Sequence, residues 1–354
     1  RACFAEMAMS GITVVGEFHY LHHQPGGRPY DDPNAMAEAL RAAAAEAGVR
    51  LTLLDTLYLW PGFDSSVELE PVQLRFSDGD VERWAIRVEK LRSGWSGDPL
   101  VRVGTAVHSV RAVDPDSIAE AAVFSSRTEA PLHIHMSEQP AENAACRVAH
   151  GCSPAELLAG AGALGPRTTA VHATHVTDAD RALLAASGSA VCLCPTTERD
   201  LADGIGPARA LAERGIPLAF GSDSHAVIDL FEEARAAELD ERLTSGTRGG
   251  LAAESLLAAA SAGGAAAVGW PDTGRLAAGA LADFVTVGLD SLRLAGAASD
   301  ELIAAVVFAA TAADVAEVVV GGRTVVRSGT HALLDDVPGQ LSDAVAALDQ
   351  DQPS

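Results

Sequence analysis

Lysine is almost missing from this chain. Lys90 is the only one in 354 residues, so arginine carries nearly all the positive charge. Basic residues total 25 against 48 acidic ones, a net charge of −23. Nucleic acid and anionic membrane surfaces both require a basic footprint, so neither is expected as a partner. Long apolar runs are missing too. The most apolar late stretch, Leu302 to Val320, is interrupted by Asp314 and Glu317. It reads as a buried helix followed by a strand and not as a membrane span. No secretory leader pattern is seen at Arg1. The five cysteines, Cys3, Cys146, Cys152, Cys192 and Cys194, form an odd, scattered set. Such a set excludes a disulfide framework and predicts a reducing, cytoplasmic setting. Cys192 and Cys194 alternate in an apolar run, which puts them on one strand face as core packing and not as a metal clip. No G-x-G-x-x-G opens a helix after a strand, which weakens any dinucleotide-binding reading.

What is present is a well-packed α/β pattern. Apolar residues make up 48% of the chain, enough for one large domain and a small one. Strands are expected at Ile12–Phe18, Arg50–Tyr58, Leu100–His108, Pro131–Met136, Thr168–His172, Ala190–Cys194 and Pro217–Gly221. Helices are expected between them, at Asn34–Ala47, Val81–Ser93, Asp116–Ser126, Ala141–His150, Ala179–Ser187 and Ile205–Arg214. This alternation predicts a parallel sheet with helical crossovers, and continuous apolar strands predict burial on both faces. Seven strands is one short of a (β/α)₈ TIM-like barrel; a doubly wound open sheet is the competing architecture. After Trp270 the pattern changes to short strands with glycine turns, as in Val318-Val-Val-Gly-Gly-Arg-Thr-Val-Val-Arg327. The expected organisation is therefore a barrel over residues 1–270, a small β-sandwich module over 271–335 and a C-terminal helix or tail over 336–354.

Polar residues gather where a barrel places its chemistry, at the C-terminal ends of the strands. One end reads Glu17-Phe-His-Tyr-Leu-His-His23, another carries His108 and Arg111, and a third reads His133-Ile-His-Met-Ser-Glu-Gln139. Two more read His172-Ala-Thr-His175 and Gly221-Ser-Asp-Ser-His225. One histidine at a strand end is usually a buried side chain with a single hydrogen bond. Several such ends together with an aspartate suit a divalent cation, since histidine nitrogen and aspartate oxygen bind Zn²⁺ at about 2.0–2.2 Å. Glu138, three residues past His135, is placed to move a proton; its bland alternative is a negative charge at the start of the following helix. Arg111 could equally be a structural ion pair.

These motifs resemble the amidohydrolase superfamily, in its cytosine-deaminase-like branch with one metal. In that branch the resemblance implies His135 and Asp223 as ligands of one divalent ion, zinc or alternatively iron(II). It further implies His172 beside the attacking oxygen and Glu138 as proton shuttle, giving Glu138, His172 and Asp223 catalytic roles. Within the superfamily the chain is most similar to the formimidoylglutamate deiminases. The stretches that carry this are Gly16-Glu-Phe-His-Tyr-Leu-His-His23, His108-Ser-Val-Arg-Ala-Val113, Cys194-Pro-Thr-Thr-Glu198 and Gly221-Ser-Asp-Ser-His-Ala226. The implied reaction is N-formimidoyl-L-glutamate plus water giving N-formyl-L-glutamate and ammonia. Arg111 would take a substrate carboxylate and Tyr20 a second contact, while His19, His22 and His23 shape a loop. Alternatives are a ring deaminase or chlorohydrolase acting on guanine-type or triazine-type substrates, and a dead remnant without catalysis. The expected partner is thus a small-molecule substrate, with a homodimer left open. The family's first barrel strand ends in His-x-His, and no such pair precedes Gly11 here. A missing leading segment is therefore expected. With it would go two further ligands, leaving a weak metal site and little activity in this chain alone.

Overall fold

The computed structural model describes residues 1–350, and side chains through residue 348. Seven parallel strands lie in consecutive order: β1 (Val14–His19), β2 (Arg50–Leu57), β3 (Val101–Ser109), β4 (Leu132–Met136), β5 (Thr168–His172), β6 (Ala190–Leu193) and β7 (Leu218–Phe220). Each pairs in parallel with the next, and helices cover the connections. This is the curled sheet of a TIM-like barrel and not a doubly wound fold, whose strand order would reverse at a switch point. β2 shows why sequence and burial agree: all eight of its residues, Arg-Leu-Thr-Leu-Leu-Asp-Thr-Leu, are buried. Leu51, Leu53 and Leu57 pack into the main core, while Thr52 and Asp55 have hydrogen-bond partners of their own.

Helical segments outside the expected set shape the rest. Leu230–Ser245 packs beside β7, and a helical run over residues 253–267 is interrupted by a π turn at Ala259–Gly263. That run crosses one end of the sheet. Gly263 lies against the Leu218 carbonyl of β7, so closely that no side chain fits. A Cβ on Gly16 of β1 would likewise stand 2.5 Å from Val268 Cγ1. Thr52 Oγ1 donates to the Val268 carbonyl at 2.7 Å, and His133 Nε2 to the Ala267 carbonyl at 2.9 Å. The run therefore plugs the N-terminal end of the strands, opposite the end where chemistry is expected.

The module expected after residue 270 is a four-stranded antiparallel sheet: β8 (Phe284–Val287), β9 (Val315–Val320), β10 (Arg323–Arg327) and β11 (Thr330–His331). The helix Leu302–Ala309 precedes β9 in the expected order, but it is half-exposed and not buried: only Val307 is fully covered, and Ile303 faces out. The N-terminal helix Ala2–Met9 packs on this sheet and buries Phe4, Met7 and Ala8. The helix Val337–Gln350 accounts for most of the expected tail; residues 351–354 lie outside the described residues. Among the described residues no helix is long and apolar enough to cross a membrane.

Two buried charge networks fix the parts. Arg87 makes bidentate contacts to both Asp55 and Asp78, with its closest approach 2.7 Å to Asp55. His23 Nε2 lies 3.2 Å from Asp78, and His22 Nε2 donates to the Thr56 carbonyl at 3.0 Å. These contacts pin the loop after β1. The second network joins the barrel to the small sheet: Arg50 donates from Nε and Nη2 to Asp283 at 2.6 and 3.0 Å. Asp283 also accepts from Thr273 Oγ1 and the Gly321 amide, and both Arg50 and Asp283 side chains are almost fully buried. Removing one partner leaves an uncompensated buried charge. Asp283→Ala is therefore expected to cost about 3–5 kcal/mol in urea unfolding. Burial would raise the Asp283 pKa, but the Arg50 and Gly321 hydrogen bonds overcome it and hold it below 3.8. The stabilisation is then complete above that value and is lost as pH falls through the lower folded value, a loss that Asp283→Asn should abolish.

Candidate active site

Every strand of a parallel sheet ends on the same side, so its strand-end side chains converge there. β1 alternates inward and outward: Phe18 stacks on the His135 ring at 4.1 Å, and His19 turns away beside His22. His19, His22 and His23 thus belong to the Asp55–Arg87–Asp78 network, as the loop-shaping reading predicts. β4 alternates in the same manner. Leu132, Ile134 and Met136 join the hydrophobic core, leaving His133 and His135 on the barrel side. His133 is spent on the plug at the N-terminal end, while His135 faces the C-terminal end.

His135 Nδ1 donates to the His108 carbonyl at 2.9 Å, and its Nε2 makes no hydrogen bond among the described residues. Burial first, then the neighbouring His108 and His172 rings, push its pKa well below 6.5. The ring is neutral with the Nε2 lone pair available, the state that a metal ligand needs. His135 stacks on His172 with ring centroids 5.4 Å apart. His172 Nε2 in turn lies 3.7 Å from both Glu138 Oε1 and Asp223 Oδ2. The four residues singled out from the sequence are therefore brought together, with His172 between His135 and the two carboxylates. A His172 nitrogen, Cys194 Sγ and an Asp223 oxygen all lie within 4.8 Å of one another. Cys194 is buried as expected, but at the rim of the site.

Charge in this cluster is unbalanced. Glu138 has its pKa raised by burial above all, with Asp203 and Asp223 adding to the effect and His172 and Arg111 opposing it. Glu142, on the helix Pro140–His150, is raised by burial as well. For His172, burial would lower the pKa, yet the hydrogen bond to Glu198 and the charges of Glu138 and Asp223 lift it to about 9. Three carboxylates, Glu138, Glu198 and Asp223, thus face the one imidazole of His172. The donor set suits a divalent cation: a neutral imidazole with one nitrogen anchored, and an aspartate in a surplus of negative charge.

Arg111 enters from the segment after β3. Its Nη2 lies 4.0 Å from Glu138 Oε2, and its Nε 3.5 Å from Glu142 Oε2 without a hydrogen bond. The side chain stays 40% exposed at the mouth, so part of the guanidinium is accessible to a ligand. Tyr20 stands edge-on to Phe76 and His108, at 5.0 and 5.2 Å. Burial raises its pKa, with the charges of Asp223 and Glu138 adding to the effect. Tyr58 closes the same wall, 4.9 Å from His108. Sequence reasoning did not single out Glu142, Glu198, Thr197 or Tyr58. Glu198 and Thr197 sat in a quoted motif, Cys194-Pro-Thr-Thr-Glu198, without a role.

Residues 1–325 match the model of the amidohydrolase family. A formimidoylglutamate deiminase of Pseudomonas aeruginosa is 38% identical over 340 residues, covering 93% of this chain and 73% of that protein. A 5-methylthioadenosine/S-adenosylhomocysteine deaminase of Teredinibacter turnerae is 30% identical, with 82% of this chain spanning 60% of its length. Among solved structures, an amidohydrolase from Brucella melitensis superposes with a TM-score of 0.90 at 34% identity, covering 98% of this chain and 78% of its own. An adenosine deaminase from Xanthomonas campestris with bound zinc gives 0.83 at 25% identity, covering 99% and 73%. With the strand-end cluster and these matches agreeing, the chain belongs to the amidohydrolase family, as a deaminase-type hydrolase of C–N bonds.

Proposed function

We propose that the substrate is a linear amidine bearing carboxylates, N-formimidoyl-L-glutamate, hydrolysed to N-formyl-L-glutamate and ammonia. The observation that carries this reading is the placement of Arg111 at the mouth, 4.0 Å from Glu138, in a site otherwise dominated by carboxylates. A ring substrate without carboxylates would leave that guanidinium only its long approaches to Glu138 and Glu142. The 38% identical deiminase supports the same choice.

His135 and Asp223 would hold one divalent ion, zinc or iron(II). Such an ion, when bound, supplies Lewis acidity and lowers the pKa of a water from about 15.7 toward about 7. The remaining steps belong to side chains. Asp223 accepts the proton of the attacking water. Glu138, whose burial favours its protonated form, delivers a proton to the leaving nitrogen. His172 points Nε2 at the same centre and steadies the charge that develops beside the attacking oxygen. Arg111 grips one substrate carboxylate by charge-assisted hydrogen bonds, and Tyr20 offers a second substrate contact. The amidine is itself cationic, which suits the excess of carboxylates around Glu138.

Two outcomes test this. In the metal-loaded enzyme, Glu138→Gln should keep its metal content by elemental analysis yet lose about 10²–10⁴-fold in kcat for ammonia release; near-normal kcat would remove Glu138 from the mechanism. Arg111→Met should weaken kcat/KM for formimidoylglutamate by roughly 10- to 150-fold, the worth of a lost charge-assisted hydrogen bond. A neutral formamidine should be nearly unaffected, whereas equal loss on both substrates would make Arg111 structural.

A further inference from the structure

The short helix Pro195–Asp200 after β6 carries three consecutive polar side chains that the proposed chemistry does not use: Thr196, Thr197 and Glu198, all buried. We propose that this Pro-Thr-Thr-Glu segment is the positioning element of the site, with Glu198 fixing which edge of His172 faces the reacting centre and Thr197 fixing the loop that carries Asp223. His172 and Asp223 matter because of the deaminase reading; the contacts that hold them do not depend on it.

Glu198 Oε1 accepts from the Cys194 amide at 3.0 Å and faces His172 Nδ1 at 3.4 Å. Glu198 stands one position beyond the glutamate of a capping box, yet it still reaches back to the amide at its helix start. Here the same oxygen also takes the imidazole, and both residues are almost fully buried. With Nδ1 engaged, Nε2 is the edge left toward Glu138 and Asp223. Thr197 works on the neighbouring strand end. Its Oγ1 accepts from the Ser224 amide at 3.1 Å and lies 3.3 Å from the Ser222 carbonyl, so it brackets Asp223 on both sides. Thr196 anchors the segment: its amide donates to Glu233 Oε2 at 3.0 Å and its hydroxyl to Glu233 Oε1. Glu233 is fully buried on Leu230–Ser245.

Backbone conformation explains why such fixing is needed. His172 has φ of 68° and Asp223 φ of 41°, left-handed values that residues with a Cβ adopt at a cost. Conformations of this sort persist only when the surroundings over-determine them. One rigid segment, tied to the helix layer through Glu233, supplies that constraint to two strand ends at once.

The test uses the metal-free chain and two readouts that need no turnover. In ¹⁵N-histidine-labelled protein, the His172 Nδ1–H signal, identified by its loss in His172→Gln, should be protected from exchange with water. Glu198→Gln should retain it, because one acceptor oxygen serves both donors, and Glu198→Leu should abolish it while the buried His22 and His133 signals persist. By hydrogen–deuterium exchange, Thr197→Val should speed exchange at the Ser224 amide by roughly tenfold or more, and Thr197→Ser should restore the parent rate. A protected Nδ1–H in Glu198→Leu would overturn the role of Glu198. Equal exchange in Thr197→Val, Thr197→Ser and the parent would overturn that of Thr197, a comparison that holds even if Glu198→Leu does not fold. Ammonia release bears on the deaminase reading and on neither of these two outcomes.

Discussion

Chain direction is the constraint on which this molecule depends. All seven barrel strands run the same way, so each contributes its last residues to one end. Residues as distant in sequence as Tyr20, His108, His135, His172 and Asp223 become neighbours without any local signal linking them. The opposite end is closed by the run over residues 253–268, which consumes the polar groups of Thr52 and His133. One end is thereby made structural and the other is left for chemistry.

Electrostatics then sets the character of the functional end. The chain is acidic overall, and the imbalance is concentrated where Glu138, Glu142, Glu198, Asp203 and Asp223 surround two cationic groups, His172 and Arg111. In the two stabilising networks the buried carboxylates each face a cation, Asp55 and Asp78 sharing Arg87 and Asp283 holding Arg50. The contrast separates stabilising pairs from a site held in readiness for positive charge. An uncompensated negative cluster is costly in a fold that needs only to be stable.

Much of the fold was legible because periodicity reports burial. The seven apolar runs became the seven strands, with ends moved by one or two residues, and Leu302 to Val320 resolved into a helix and a strand. The (β/α)₈-like layout was favoured over a doubly wound sheet by the absence of a phosphate-binding glycine loop, and the consecutive strand order agrees. The helical run over 253–267 escaped notice because its alanine-rich sequence carries little contrast between faces, and Leu230–Ser245 because it buries charged side chains. Glu233 and Glu238 look like solvent-facing residues in the sequence, yet both are buried with partners contributed from elsewhere in the chain.

By itself the sequence determined which residues could do chemistry, because a histidine or carboxylate closing an apolar strand has few other reasons to be there. His135, Glu138, His172, Asp223, Arg111 and Tyr20 were all named on that ground or by resemblance, and they share one cavity mouth. Only the tertiary structure decided which of several equivalent residues went where. His133 and His135 differ by two positions and face opposite ends of the barrel, because a strand of five residues spans the distance between plug and site. His22 and His23 are read in sequence as shaping a loop, but only the structure shows what holds them there, Asp55 and Asp78, carboxylates that Arg87 from a separate helix brings beneath the loop. Thr197 and Glu198 acquired partners only when β5, β6 and β7 came to lie side by side. Such pairings depend on contacts across dozens of residues, and no local pattern encodes them.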